Sequence, residues 1–263
     1  MEIKKITVLG GIGKGGELEP VREIELNMGD IVSIVGPTGC GKTTLINDIE
    51  LFANENTPSM RKVLVNGEVP EFDGALNPVA LISQHTNFLS DLPVREFLTI
   101  HAGVRQSEDV EKTVAETLDF ANQLTGEPLI LDSPMTSLSG GQTRSLLIAD
   151  AVVIGNSPII LLDEIENAGI DRAKALELLK NYRKIFVFVT HDPRIALLSD
   201  YRIVMSDGAM RQIIATGAEE RKVETEIKKM DDLLLDFRAM IRASKQLTYD
   251  DLSDRLRAIG YIS

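Results

Sequence analysis

A chain of 263 residues, 43% of them hydrophobic and 26% charged, suffices for one large α/β domain, or one domain with a small appendage. Its formal charge of −12 argues against a nucleic-acid partner, because phosphate-backbone binders present a basic face. A single cysteine excludes an intrachain disulfide and suits a reducing cytoplasm. Met1–Lys5 leads into a strand-like segment with nothing resembling a signal peptide. The longest uncharged apolar run, Ala151–Leu162, is broken by Gly155, Asn156 and Pro158 and is too short to span a bilayer.

Residues 3–9 read as an opening strand, Gly10–Gly16 as a loop, and Val21–Met28 as a second strand with apolar and polar residues alternating. Gly13-Lys14 imitates the end of a phosphate loop, but Val8 stands where the first glycine belongs and Gly15 replaces the Ser/Thr. The stretch Gly36-Pro37-Thr38-Gly39-Cys40-Gly41-Lys42-Thr43-Thr44 does satisfy G-x-x-x-x-G-K-[ST]. It lies between the β-branched run Ile31–Val35, which reads as a buried strand, and Leu45–Leu51, whose apolar residues fall at helical spacing. Glycines let successive N–H groups turn inward on an anion, and the following helix adds the positive end of its dipole. Lys42 is then positioned for the β- and γ-phosphates of a nucleotide, and the Thr43 hydroxyl for Mg²⁺. Cys40 reads as a small residue filling a tight turn.

Further on, Lys62–Val65 and Val79–Ser83 are strand-like, with turn signals at Asn66-Gly67 and Asp73-Gly74 between them and Gln84 closing the second. Asp91-Leu92-Pro93 opens a helix, and Ser107 is expected to cap another whose Val110, Val114, Leu118 and Ala121 form one apolar stripe. Leu138-Ser139-Gly140-Gly141-Gln142 precedes an apolar helix expected over Ser145–Val153. The apolar strand Ile159–Leu162 ends in Asp163-Glu164. There the first carboxylate can hold Mg²⁺ and the second can polarise an attacking water as general base. A helix around Ala173–Asn181 leads into the strand Ile185–Val189 and then Thr190-His191-Asp192, and Tyr201–Met205 and Gln212–Ala215 finish the sheet. Helices alternating with buried strands predict a doubly wound α/β core. His85 and His101 lack comparable context and read as ordinary solvated or core histidines.

From Glu219 to Ala243 the apolar residues Val223, Ile227, Met230, Leu234, Phe237 and Ile241 follow heptad spacing on a charged background. Such a stripe suits either one amphipathic helix docked on its own domain or a dimer or partner contact. Thr248–Ile259 predicts a short final helix.

The ordered set Gly36–Thr43, Gln84, Leu138–Gln142, Ile159–Glu164 and His191 resembles the nucleotide-binding domain of an ATP-binding cassette (ABC) ATPase, over roughly residues 1–217. The resemblance implies a RecA-like P-loop NTPase core with an antiparallel β subdomain and a helical insertion at about 91–137; the apolar spacing beyond it predicts a helical extension over 218–263. It implies ATP hydrolysis with ATP and Mg²⁺ bound along Gly36–Thr44, Asp163 holding the metal and Glu164 acting as base. Gln84 would touch Mg²⁺ or the water, and His191 would contact the γ-phosphate and orient Glu164. Ser139, Gly140, Gly141 and Gln142 would cap the nucleotide of the opposite subunit, making a head-to-tail homodimer, or a heterodimer with another ABC subunit, around two ATP. Ala168-Gly169-Ile170-Asp171 resembles the D-loop, with Asp171 near that interface.

Three features depart from the pattern. No aromatic residue precedes Phe52, so Ile12 or Val8 is expected to replace the adenine-stacking ring. Ile165 stands where a proline is usual, and Asp150 where a basic residue is common. Two roles follow from the resemblance. One is the ATP-binding subunit of a transporter, cytoplasmic or peripheral at the inner membrane face through a membrane-domain partner, with Leu92–Leu98 in the segment that receives it. The other is a soluble motor acting on a protein assembly in maturation or repair.

Overall fold

The computed structural model describes residues 2–71, 77–83, 86, 90–164 and 172–262. They fall into two units, one ending at Ala215 and one running from Thr216. In the first, β1 (Lys5–Leu9), β2 (Glu23–Asn27) and β4 (Lys62–Val65) make an antiparallel sheet in the order β2-β1-β4. A six-stranded sheet contains β3 (Ile31–Val35), β5 (Val79–Ile82), β6 (Ile159–Asp163), β7 (Ile185–Val189), β8 (Tyr201–Ser206) and β9 (Ala209–Ala215). Its order is β5-β6-β7-β3-β8-β9, parallel except for the β8–β9 hairpin.

Side-chain alternation along the central strands divides the interior in two. Ile160 and Leu162 of β6 and Phe186 and Phe188 of β7 face one core with residues of α2 (Val94–Val104), α3 (Val110–Leu124) and α4 (Gly140–Val152). Ile159, Leu161, Ile185 and Val187 face the other, shared with α1 (Lys42–Glu50) and the antiparallel sheet. Because both faces are covered, these strands are continuous apolar runs, and β6 ends where its first carboxylate, Asp163, meets solvent. Two further helices, α5 (Arg172–Lys180) and α6 (Pro193–Leu198), complete this unit.

Several boundaries differ from the sequence expectations. The cap of α3 is Asp109, whose side chain accepts from the Lys112 amide at 3.0 Å, whereas the Ser107 amide donates to Ala102 O at the end of α2. α4 starts at Gly140, five residues before Ser145, because Ser139 and Gln142 close a reciprocal capping box. α6 was not anticipated, although Asp192 caps it and Pro193 opens it.

The second unit holds α7 (Ala218–Arg242) and α8 (Tyr249–Ala258). The Arg255 guanidinium lies 5.5 Å from the Phe237 ring centre, and Tyr261 Oη donates to Glu226 Oε2 at 3.0 Å. Val223, Met230, Leu234 and Ile241 of the heptad stripe are exposed.

Candidate functional site

The C-terminal ends of β3, β6 and β7 open on one cavity of about 470 Å³. Ligands of α/β folds usually bind in such a crevice. Its walls include Thr38, Gly39, Gly41, Lys42, Thr43 and Thr44 from the phosphate loop, together with Asp163, Glu164 and His191. Gly36 closes the turn after β3, where an added Cβ would sit 2.3 Å from Met205 O and 2.7 Å from Cys40 Sγ. Gly41, at φ 98°, starts α1 without any side-chain cap, so the first-turn N–H groups face the loop with no carboxylate or hydroxyl competing for them. Lys42 is buried, and its ammonium group donates to Gly36 O at 2.8 Å and Pro37 O at 3.1 Å. Both acceptors are neutral carbonyls, which an incoming phosphate can replace with a stronger charge-assisted bond.

Glu164 adopts a left-handed backbone at φ 50°, an uncommon state for a non-glycine residue. Its amide donates to Val189 O at 3.0 Å, and its carbonyl accepts from Arg144 at 3.2 Å, which together hold the bend. The Glu164 carboxylate then lies 3.6 Å from His191 Nε2, within ion-pair range but beyond a direct hydrogen bond. The Thr43 and Ser83 hydroxyls and the Asp163 carboxylate line the same cavity, a hard-oxygen donor set that fits Mg²⁺. Among the described residues no three His, Cys, Asp or Glu side chains gather to hold a metal alone. Magnesium usually shares one or two carboxylates with substrate phosphates and water, so this set suits it.

Ser139, Gly140, Gly141 and Gln142 do not line this cavity. Ser139 and Gly140 are exposed at the start of α4, with nothing within 4 Å of the position a Gly140 Cβ would take. Gln142 is anchored by donating to Pro128 O at 3.0 Å. The predicted Gln84 and the segment Ala168–Asp171, with Asp171, lie outside the described residues, as do His85 and Ile165. His101 pairs with Asp150 at 2.6 Å, away from this cavity. Val8, within β1, is only 1% exposed and packed in the core, which rules it out as a surface for a base. Ile12 bridges Leu18 and is not in the cavity wall.

The sequence reading missed two features. Lys14 lines the cavity, and its Nζ donates to Gly39 O at 2.6 Å. Beneath the phosphate loop, fully buried Arg61 donates to Glu19 Oε1 at 2.7 Å, Glu19 Oε2 at 3.1 Å, Asp48 Oδ2 at 2.8 Å and Gly208 O at 2.8 Å. Burial opposes the Arg61 charge, but Glu19 and then Asp48 outweigh it and hold its pKa above the ordinary value. Asp48 belongs to α1, Glu19 to the β1–β2 connection and Gly208 to the β8–β9 turn, so one guanidinium ties together the three segments around the loop.

Residues 22–167 match the family model described as ABC transporter. The chain is 50% identical over 257 residues to an uncharacterized ABC transporter ATP-binding protein of Methanocaldococcus jannaschii, covering 96% of this chain and 98% of that protein. It is 32% identical over 224 residues to a spermidine/putrescine import ATP-binding protein of Bacteroides fragilis, covering 81% of this chain but only 47% of that longer protein. Among solved structures, a dimeric ATP-binding cassette in a post-hydrolysis state with ADP and Pi matches with a TM-score of 0.61 and 25% identity, over 81% of this chain and 99% of that one.

Proposed function

Because the chain belongs to the ABC transporter family of ATP-binding proteins, we propose that it hydrolyses Mg²⁺-bound ATP in a head-to-tail dimer and serves as the ATP-binding subunit of a transporter. One observation carries the reading. Lys42, Thr43, Asp163, Glu164 and His191 converge on one cavity, whereas the helix start at Ser139–Gln142, exposed at Ser139 and Gly140, is absent from its wall. A helix N-terminus that presents donors without reaching its own nucleotide suits the nucleotide of a second copy.

In this reading Lys42 exchanges the Gly36 and Pro37 carbonyls for the β- and γ-phosphates. Thr43 and Asp163 would hold Mg²⁺, which would supply charge neutralisation at the phosphates. Glu164 accepts a proton from the attacking water as the water oxygen bonds to the γ-phosphorus and the bond to the bridging oxygen breaks, leaving ADP and phosphate. His191, 3.6 Å away, keeps the Glu164 carboxylate aimed and meets the γ-phosphate. For Gln84 and Asp171, which lie outside the described residues, we keep the roles that the family pattern suggests, contact with the metal or water and a place near the dimer interface. No helix among the described residues is long and apolar enough to cross a membrane. We therefore assign membrane attachment to an integral-membrane partner at the cytoplasmic face. The relatives named above are transporter ATP-binding proteins, which favours this role over a motor on a maturation or repair assembly.

Complementation tests the shared site. Lys42→Ala and Ser139→Arg are each expected to abolish turnover. Mixed in equal amounts, they regain about a quarter of wild-type activity if half the dimers are mixed and each mixed dimer has one intact site. A mixture as inactive as its components contradicts sharing.

A further inference from the structure

Lys14 belongs to a sequence that imitates a phosphate loop without completing one, and the fold delivers it to the real loop. We propose that Lys14 is a second phosphate ligand for the nucleotide, reaching it from the β1–β2 connection. This inference rests on reading Gly36–Thr44 as the nucleotide site.

The backbone around Lys14 is fixed from several directions. Ile12 N donates to Ser59 O at 2.7 Å, Gly13 N to Glu17 O at 2.8 Å, and Lys14 N to Asp207 O at 2.7 Å. Gly11 N donates to Glu19 Oε2 at 2.8 Å, which joins this connection to the carboxylate that Arg61 holds. Space for the lysine stem comes from Gly208, where an added Cβ would lie 2.8 Å from Lys14 Cγ and 2.9 Å from Lys14 N. Gly208 also has a φ of 81° and donates its amide to Cys40 O at 2.9 Å, so the turn that seats Lys14 is bonded to the phosphate loop.

Electrostatics then points the side chain at an anion. Glu17 and Asp207, the carboxylates nearest in sequence and packing, both engage Arg211 at 3.4 Å. Among the described residues Lys14 has no ion pair, and its Nζ rests on the neutral Gly39 carbonyl. Within the cavity, Asp163 and Glu164 offset the charges of Lys14 and Lys42. Even with Lys42 and a bound Mg²⁺, the negative charge of Asp163, Glu164 and a triphosphate together exceeds the positive charge in the pocket. Lys14 reduces that excess, and exchanging a neutral carbonyl for an anionic phosphate oxygen gives its ammonium group a stronger bond. The β1–β2 connection, which lacks an aromatic platform, thus contributes a cation to nucleotide binding instead.

The test compares ATP affinity of wild type, Lys14→Met and Lys14→Arg at low and high salt, with Lys42→Ala as reference and thermal melting without nucleotide as a folding control. Lys14→Met is expected to melt like wild type and bind ATP roughly tenfold more weakly at low salt. That gap should narrow at high salt, as an ionic contact requires, and Lys14→Arg should recover most of the affinity. A Lys14→Met affinity within twofold of wild type, or a loss that ignores salt and is not recovered by arginine, overturns the assignment. Retained ATP binding by Lys42→Ala would instead overturn the reading of the loop itself. Loss in Lys42→Ala beside unchanged binding in Lys14→Met would refute only the role of Lys14.

Discussion

Replacing Arg61 by methionine keeps most of the apolar stem but removes the charge between two buried carboxylates. Four hydrogen bonds disappear: two to Glu19, one to Asp48 and one to Gly208 O. Glu19 retains only the backbone amides of Gly11 and Met210, and Asp48 retains the Ser59 hydroxyl. Side chains of the pair partners are 0–2% exposed, so water cannot substitute for the guanidinium. Breaking a buried ion pair from one side costs about 3–5 kcal/mol, a large share of the 5–15 kcal/mol typical of a folded protein. For a chain of this size that corresponds to a fall in melting temperature of roughly 6–20 °C. Arg61→Lys should recover only part of the loss, because one compact ammonium cannot span Glu19, Asp48 and Gly208 O together. Urea titration followed by circular dichroism, with scanning calorimetry, measures the cost directly. ATP affinity should fall as well, since Gly208 connects the network to Cys40 O of the phosphate loop. A loss below about 1 kcal/mol in Arg61→Met would refute the claim that this ion cluster holds the three segments together.

Two further outcomes follow from other parts of the molecule. Lys184 is buried, donates to Asn156 Oδ1 at 2.7 Å and Ser157 O at 3.1 Å, and burial pushes its pKa down to about 8. An unfolded lysine titrates near pH 10.4, so above about pH 8 the unfolded chain holds the extra proton and this residue's contribution to stability rises with pH. The stability of wild type minus that of Lys184→Met should therefore climb between about pH 8 and pH 10 in urea titrations; parallel curves would contradict the shift. Affinity capture of the tagged chain from native membranes should bring down an integral-membrane protein reproducibly, and an exclusively soluble complex would remove the transporter role.

Much of the site was legible because its determinants are local. The phosphate loop, the Asp163-Glu164 pair and the Ser139–Gln142 helix start each occupy a few consecutive residues whose chemistry depends on neighbours in the chain. Where two local cues competed, the outcome needed geometry. Both Ser107 and Asp109 can cap a helix, and the bond from the Ser107 amide back to Ala102 O leaves the role to Asp109. The sequence places the helix start at Ser145, yet the reciprocal bonds of Ser139 with Gln142 outweigh the weak helix propensity of the two glycines and start α4 at Gly140. Long-range features had no local signal at all. Arg61 meets Glu19 and Gly208 across 42 and 147 positions of chain, and no periodicity encodes that meeting. Lys14 was set aside for failing a pattern that it never needed to satisfy, because its place beside Gly39 is set by the β8–β9 turn.

In the proposed cycle two copies close around shared nucleotide, and the oligomeric state of Glu164→Gln reports that closure. Removing the proposed general base should stop turnover while leaving ATP and Mg²⁺ in place, so the closed state accumulates. Light scattering coupled to size exclusion is expected to give twice the monomer mass with ATP and Mg²⁺, and the monomer mass without nucleotide. A Glu164→Gln chain that binds ATP but stays monomeric at saturation would contradict the shared site.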